Sequence, residues 1–290
     1  MSVAAIKVPW GVRVQLGHAA IQVAAERCGA DLLHIKGYAL DETLMWQGRS
    51  GSDVDVLVRP AHVDGLVSAL EKGGWRRTMS FEAGSPFGHS LSLRHDDWGN
   101  ADVHRLFPGL GPDPAVVFDV LWRDREARRI AGVDCPVPSL AAQALVLMTH
   151  AARSRNNPRA QSDVEVVWGD ASAQRRADIA ALVAELGAEV AFAAAIGDLD
   201  QYRDRPDYLL WKVVSQGGTR LEEWRARVRA AGSPAAAVVV MLQAPLVNVE
   251  HLAALLGRPP TRVEIVKEFF ARPLRGLREQ VRARWPKDES

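Results

Sequence analysis

Residues 53–58 read DVDVLV, where acid and valine alternate before the run turns wholly apolar. Such a run reads as a buried strand, because successive side chains on a strand point to opposite faces. Val54 and Val56 then enter a core, while Asp53 and Asp55 share the other face. Aspartate is depleted in strands. Two neighbouring carboxylates repel each other and lose hydration when covered. A divalent cation removes that cost. Carboxylate oxygens are hard ligands, and Mg²⁺ takes one or two of them together with substrate phosphates. The preceding residues, QGRSGS at 47–52, read as a loop whose amides and hydroxyls can meet phosphate oxygens.

A site for phosphoryl or nucleotidyl transfer needs a third acid from a neighbouring strand. Asp102 fits that need. It lies in ADVHRL, residues 101–106, with His104 on the same strand face. An aspartate there can bridge to the metal or act as base on an attacking hydroxyl.

These segments, taken in order, resemble the nucleotidyltransferase superfamily of the DNA polymerase β type. The order is LLHIKG, a short helix, GRSGSDVDVLV, a helix, and a distal strand carrying ADVHR. More narrowly, the chain resembles a group of uncharacterised bacterial nucleotidyltransferases. These carry a Lys-Gly pair, an Arg before a Ser-Asp-x-Asp strand, and a later Asp-x-His. The resemblance covers roughly residues 10–170, and its helical continuation, with His150 and Asp163, is a weaker match. It implies that Asp53, Asp55 and Asp102 are the catalytic and metal-binding carboxylates, holding two Mg²⁺ ions with Mn²⁺ as a substitute. It implies a nucleotide site built from Lys36, Gly37, Arg49, Ser50, Gly51, Ser52 and His104. The superfamily usually places Gly-Ser where this chain has Gly37-Tyr38, so Ser50 or Ser52 would supply the hydroxyl.

Each of these residues also has a plainer reading. Lys36 can be a solvated lysine at a strand end, and Arg49 can pair with an aspartate instead of a phosphate. His104 can tune Asp102, contact the acceptor or serve structure alone. His34 can be packing, His150 a core histidine, and Asp96-Asp97 a solvated turn.

Around this constellation the pattern predicts an α+β protein. A nucleotidyltransferase-like mixed-sheet core over 1–138 is followed by a helical domain over 139–290. Helices are expected at 10–28, 38–46 and 61–72. Strands are expected at 32–36, 53–58 and 75–81, and a hairpin joins 90–94 to 101–106 through HDDWGN. PGLGPDP at 108–114 is a loop, and edge strands fall within 127–137. Further helices are expected at about 139–153, around 164–168, twice in 174–200, and within 208–231, 235–256 and 261–284.

Charge narrows the partners. Lys+Arg is 36 and Asp+Glu is 35, a net charge of +1. A nucleic-acid partner is therefore possible but not favoured. A local basic stripe remains at Arg272, Arg275, Arg278, Arg282 and Arg284. It reads by default as a solvated helix face, and alternatively as an RNA or acidic-peptide contact. No apolar run approaches the roughly 18 residues of a membrane span, and the start MSVAAIKVPWG lacks a secretory signal. A cytoplasmic protein with no membrane partner is expected, its two cysteines, Cys28 and Cys135, buried and reduced. The expected activity is Mg²⁺-dependent transfer of a nucleoside monophosphate from an NTP donor, ATP among the candidates, to a hydroxyl acceptor, with pyrophosphate release. The acceptor is a small molecule or a peptide or protein hydroxyl. Alternatives are an RNA-modifying nucleotidyltransferase toxin, a non-turnover module binding nucleotide or partner, and a metal-dependent hydrolase.

Overall fold

The computed structural model describes residues 8–81, 87–154, 157–243 and 246–271. Its contacts group into two compact units, one of residues 1–148 with 162–188 and one of 149–161 with 189–290.

In the first unit, α1 (Trp10–Cys28) is followed by β1 (Leu32–His34) and two short 3₁₀ turns, Gly37–Ala39 and Glu42–Leu44. Then come β2 (Val54–Val58), α2 (Val63–Lys72), β3 (Arg76–Met79), β4 (Ser90–His95) and β5 (Gly99–His104). Helix α3 (Pro114–Arg123), the β6–β7 hairpin (Glu126–Ile130, Val133–Val137) and α4 (Leu140–Ala152) come next. The end of α4 and most of α5 (Pro158–Val164) belong to the second unit, and a π-helical turn at Glu165–Gly169 then leads to α6 (Ala173–Glu185) of the first.

The main sheet has the order β1-β2-β5-β4-β3. It is mixed, with β2 and β5 parallel and the other neighbours antiparallel. One face carries the core. Leu32, Val54, Val56, Val58, Ala101, Val103, Leu91 and Leu93 pack there with Val14, Ile21 and Ala25 of α1 and with Leu66, Val67 and Leu70 of α2. Alternation sends Asp55, Leu57, Asp102 and His104 to the other face. The alternating acids at 53–58 thus mark a strand buried on both sides, its pattern BBBBB including Asp55.

Several expectations need correction. Residues 38–46 do not form one helix. Leu40 is extended (φ −73°, ψ 147°), and Asp41 caps a new turn by accepting from the Thr43 amide. A side chain competing for the backbone in this way ends a helix locally. Strand β1 stops at His34, because Lys36 and Gly37 turn the chain. The edge strands of 127–137 form a separate two-stranded sheet. Helix α3 was not foreseen, although Asp113 accepts from the Ala115 amide at its start and Pro114 opens it. Cys28 is exposed at the end of α1, and only Cys135 is buried. The first unit also continues past residue 138. Gln143 Oε1 accepts from the Asp41 amide at 2.7 Å, and Arg123 pairs with Glu185 at 3.0 Å.

The second unit contains α7 (Glu189–Ile196), a 3₁₀ turn (Leu199–Tyr202), α8 (Tyr208–Gln216), α9 (Arg220–Ala230), α10 (Pro234–Gln243) and α11 (Val249–Leu256). A last helix, α12, runs over 262–271. Helix α9 starts with a full capping box between Thr219 and Glu222. The rest of the helix expected at 261–284, with the arginines from Arg272 onward, lies outside the described residues. No helix among the described residues is long and apolar enough to cross a membrane.

Candidate active site

The parallel register of β2 and β5 sets Asp55 beside Asp102 and Leu57 beside His104. Asp53 lies one residue before β2, half-buried, while Asp55 is 3% exposed. Strand β4 adds Ser92, paired with Asp102 across the sheet, and its Oγ donates to Asp102 Oδ1 at 2.7 Å. Ser52 Oγ donates to Asp53 Oδ1 at 2.8 Å. Ligand atoms of Asp55, Asp102 and His104 all lie within 4.8 Å of one another.

Two groups converge on one oxygen of Asp55. Lys36 Nζ lies 2.6 Å from Oδ1, and His104 Nε2 lies 2.8 Å from the same atom. Burial alone would push the Asp55 carboxyl up, but the Lys36 ammonium and the His104 hydrogen bond outweigh it and hold Asp55 far below the carboxylate range. An ionised Asp55 only accepts, so His104 donates through Nε2 and its Nδ1 keeps a lone pair. That Nδ1 is buried with no hydrogen-bond partner among the described residues. Burial lowers the His104 pKa even against the pull of Asp55. Asp53 behaves oppositely. Burial first, then the charge of Asp55, push its carboxyl up, opposed by Ser52 and Lys36.

The turn after β1 is built for close backbone approach. Gly37 has φ +61°, a left-handed conformation that favours glycine. A Cβ on Gly51 would stand 3.1 Å from the Gly37 Cα and 3.2 Å from the Tyr38 ring. The two glycines therefore meet back to back beside Asp53, and no side chain stands between the two loops. Tyr38 packs its hydroxyl over Gly11, where a Cβ would approach within 2.3 Å. It fills space rather than offering the hydroxyl that a serine would.

Behind this turn runs a buried hydrogen-bond chain. Gln22 Nε2 donates to Glu26 at 2.9 Å, which turns its Oε1 toward His34 Nε2 at 3.2 Å. His34 Nδ1 then accepts from His18 Nδ1 at 2.8 Å. His18 Nε2 is left unprotonated and buried, 4.0 Å from where a Gly37 Cβ would sit. Burial pushes His18 down to about 4, against the pull of Asp55, and lowers His34 as well. His34 was noticed in the sequence only as packing, and His18 not at all. Neither lies in a motif, and their contact joins α1 to β1 across the core.

Arg49 binds elsewhere. Its Nη1 lies 3.2 Å from Asp163 Oδ1, which also accepts from the Trp46 indole at 2.8 Å. Burial raises the Asp163 carboxyl, with Arg49 and Trp46 opposing. The structure thus brings Lys36, Asp53, Asp55, Asp102 and His104 together, with Gly37, Gly51 and Ser52 alongside. Arg49 is held at Asp163, and Ser50 is an exposed loop residue. In the second unit, His150 is half-buried and contacts Arg153 at 2.9 Å.

Two carboxylates and an imidazole on one wall of the sheet, Asp55, Asp102 and His104, form a mixed oxygen and nitrogen donor set that could hold a divalent ion, with Asp53 just before β2 beside them. A family model described as uncharacterised nucleotidyltransferase matches residues 18–201. No curated protein matches the sequence. Among solved structures, the chain is similar to the lincosamide antibiotic adenylyltransferase LnuA with lincomycin bound, at 17% identity, 58% of this chain, 94% of that chain and a TM-score of 0.32. It is similar to ANT(2")-Ia in complex with adenylyl-2"-tobramycin, at 16% identity over 66% of this chain and 98% of that one, with a TM-score of 0.36. It is also similar to an antigenic nucleotidyltransferase-like protein from Paracoccidioides brasiliensis, at 15% identity over 63% and 93%, with a TM-score of 0.37.

Proposed function

The chain belongs to the family of uncharacterised nucleotidyltransferases, and from that premise we propose that it moves a nucleoside monophosphate from an NTP to a hydroxyl acceptor. The observation that carries this reading is the β2–β5 register, which seats Asp55 beside Asp102 on the face that Asp53 flanks. A divalent ion held by Asp53, Asp55 and Asp102 would neutralise charge on the triphosphate and on the leaving pyrophosphate. Mg²⁺ suits these oxygens, and Mn²⁺ has the same donor preference.

The chain's own residues supply the rest. Gly37 and Gly51, half-buried and packed together, put no side chain where phosphates would lie, with the exposed Ser52 at the rim. The acceptor oxygen attacks the α-phosphorus, the bond to the pyrophosphate oxygen breaks, and the hydroxyl proton passes to a carboxylate. Asp102 fits that last role. Ser92 occupies its Oδ1, and Oδ2 has no hydrogen bond among the described residues. His104, 1% exposed and bonded to Asp55, holds that carboxylate in place. With a net charge of +1 the chain lacks the basic surplus of a bulk nucleic-acid enzyme. A small molecule, or a peptide or protein hydroxyl, is therefore the acceptor we favour.

The test is a thermal-shift titration with each NTP, with and without Mg²⁺, on the parent and on the double variant Asp53→Asn/Asp55→Asn. A ligand at a hundredfold its Kd adds about 2.7 kcal/mol of stability. A Mg²⁺-dependent shift with one NTP, absent in the variant, supports the reading and names the donor. Equal shifts in parent and variant would sink it.

A further inference from the structure

Lys36 stands where a cation belongs. Its Nζ, 2.6 Å from Asp55 Oδ1, is the cation held against Asp55, a carboxylate that Asp53 and Asp102 flank. Oδ1 also accepts from His104, so this oxygen already has two donors. A divalent ion sits about 2.0–2.1 Å from a carboxylate oxygen when that ion is Mg²⁺. An ammonium at hydrogen-bond distance from the same carboxylate would face it as a close like charge in a poorly hydrated setting. Each cation weakens the other's hold on Asp55. His104 meets the same oxygen as a hydrogen-bond donor, and Arg49 is bound to Asp163.

The lysine also has somewhere to go. Its side chain is 14% exposed and ends a flexible four-carbon stem. The residue after it, Gly37, and Gly51 opposite carry no side chains, and their backbones pack together beside it. A triphosphate brought to the Asp55 carboxylate would meet the Lys36 ammonium there.

We propose that the Lys36 ammonium is a built-in substitute for the metal on Asp55, and that an incoming triphosphate draws it off and so lets a divalent ion load. The inference rests on the nucleotidyltransferase reading above and adds to it a coupling between the two ligands. Metal alone binds poorly, because it must displace Lys36. Metal with triphosphate binds well, because the displaced ammonium gains a phosphate partner. By linkage the metal improves triphosphate binding by the same factor.

The experiment measures Mn²⁺ binding to the full chain by electron paramagnetic resonance, using inorganic tripolyphosphate as a base-independent probe. Lys36→Met is compared with the parent, with Lys36→Gln as a second neutral variant and Lys36→Arg as a cationic one. Circular dichroism checks the fold of each. Without phosphate, Lys36→Met and Lys36→Gln should bind Mn²⁺ roughly tenfold more tightly than the parent, within the usual range of coupling between sites. Lys36→Arg should stay weak. For the preformed Mn²⁺–tripolyphosphate complex the order should reverse, with the neutral variants weaker. Mn²⁺ binding that Asp55→Asn abolishes in the parent, yet that is unchanged or weakened in both neutral Lys36 variants, would overturn the coupling and leave the nucleotidyltransferase reading standing. If parent and variants all ignore Mn²⁺, both readings fall.

Discussion

At the residue scale, one oxygen of Asp55 concentrates the chemistry of the site. An aspartate at 3% exposure survives there because Lys36 and His104 both serve its Oδ1. Asp53 and Asp55 were legible in the sequence because a strand's period of two puts both on one face, and Asp102 because its own run alternates. The partner of Lys36 was not legible, since nothing local tells whether a lysine at a strand end meets water, phosphate or a carboxylate. Arg49 had the same ambiguity, and tertiary contact resolved it toward Asp163. Two predictions belong here. Replacing Asp55 by Asn leaves Lys36 without its charge partner, and nucleotidyl transfer should fall by about 10²–10³-fold, the usual size of one lost electrostatic contact. Pyrophosphate release with a turned-over acceptor checks this. Gly51→Ala should destabilise the protein by about 1–3 kcal/mol, because its Cβ would press on Gly37 and Tyr38. Urea unfolding reads that value directly.

At the scale of elements, long periodic segments were read well and short ones were not. The pattern over 10–28 became α1, and HDDWGN became the turn between β4 and β5. The 38–46 segment carried helical spacing, but Asp41 offered the backbone a capping oxygen in the middle of it and two 3₁₀ turns resulted. Helix α3 had a start signal at Asp113-Pro114 and an apolar stripe of Val117, Phe118 and Leu121. The prolines and glycines just before it hid it. The loop between the two 3₁₀ turns and β2 is tied down by Asp163, which holds Arg49 and the Trp46 indole together. Asp163→Ala should leave the Arg49 charge, 15% exposed, unpaired. We expect a loss of about 3 kcal/mol, the low end for breaking a buried pair. Faster amide exchange across residues 47–52 should accompany it. A variant with native exchange in that loop would show that the clasp does not hold it.

At the scale of the whole molecule, stability should depend on pH through the two buried histidines. In the folded chain His18 is pushed down to about 4 and His34 is lowered too, while both titrate near 6.5 when unfolded. Between those values the unfolded chain binds protons that the folded chain does not. Stability is therefore complete above pH 6.5 and falls as pH drops toward 4, with a limiting slope of about 1.4 kcal/mol per pH unit for each such group. Unfolding free energies at pH 7.5, 6 and 5 should show the decline, and His18→Gln should flatten it. A parent that is equally stable at pH 7.5 and 5 would refute the assigned neutral chain. Periodicity and residue type alone determined the alternating strands and helices of the first half, the strand that carries Asp55 with Asp53 just before it, the hairpin strand that carries Asp102, and the nearly balanced charge, while the mixed-sheet class came with the family resemblance. These are local properties, set by how side chains alternate along a single element. Only the tertiary structure decided that β2 and β5 run side by side with Asp55 against Asp102, that Lys36 rather than Arg49 meets Asp55, and that His18 and His34 touch. Each of those contacts joins residues far apart in the chain, and their pairing follows from how the sheet orders its strands and which helix covers which face.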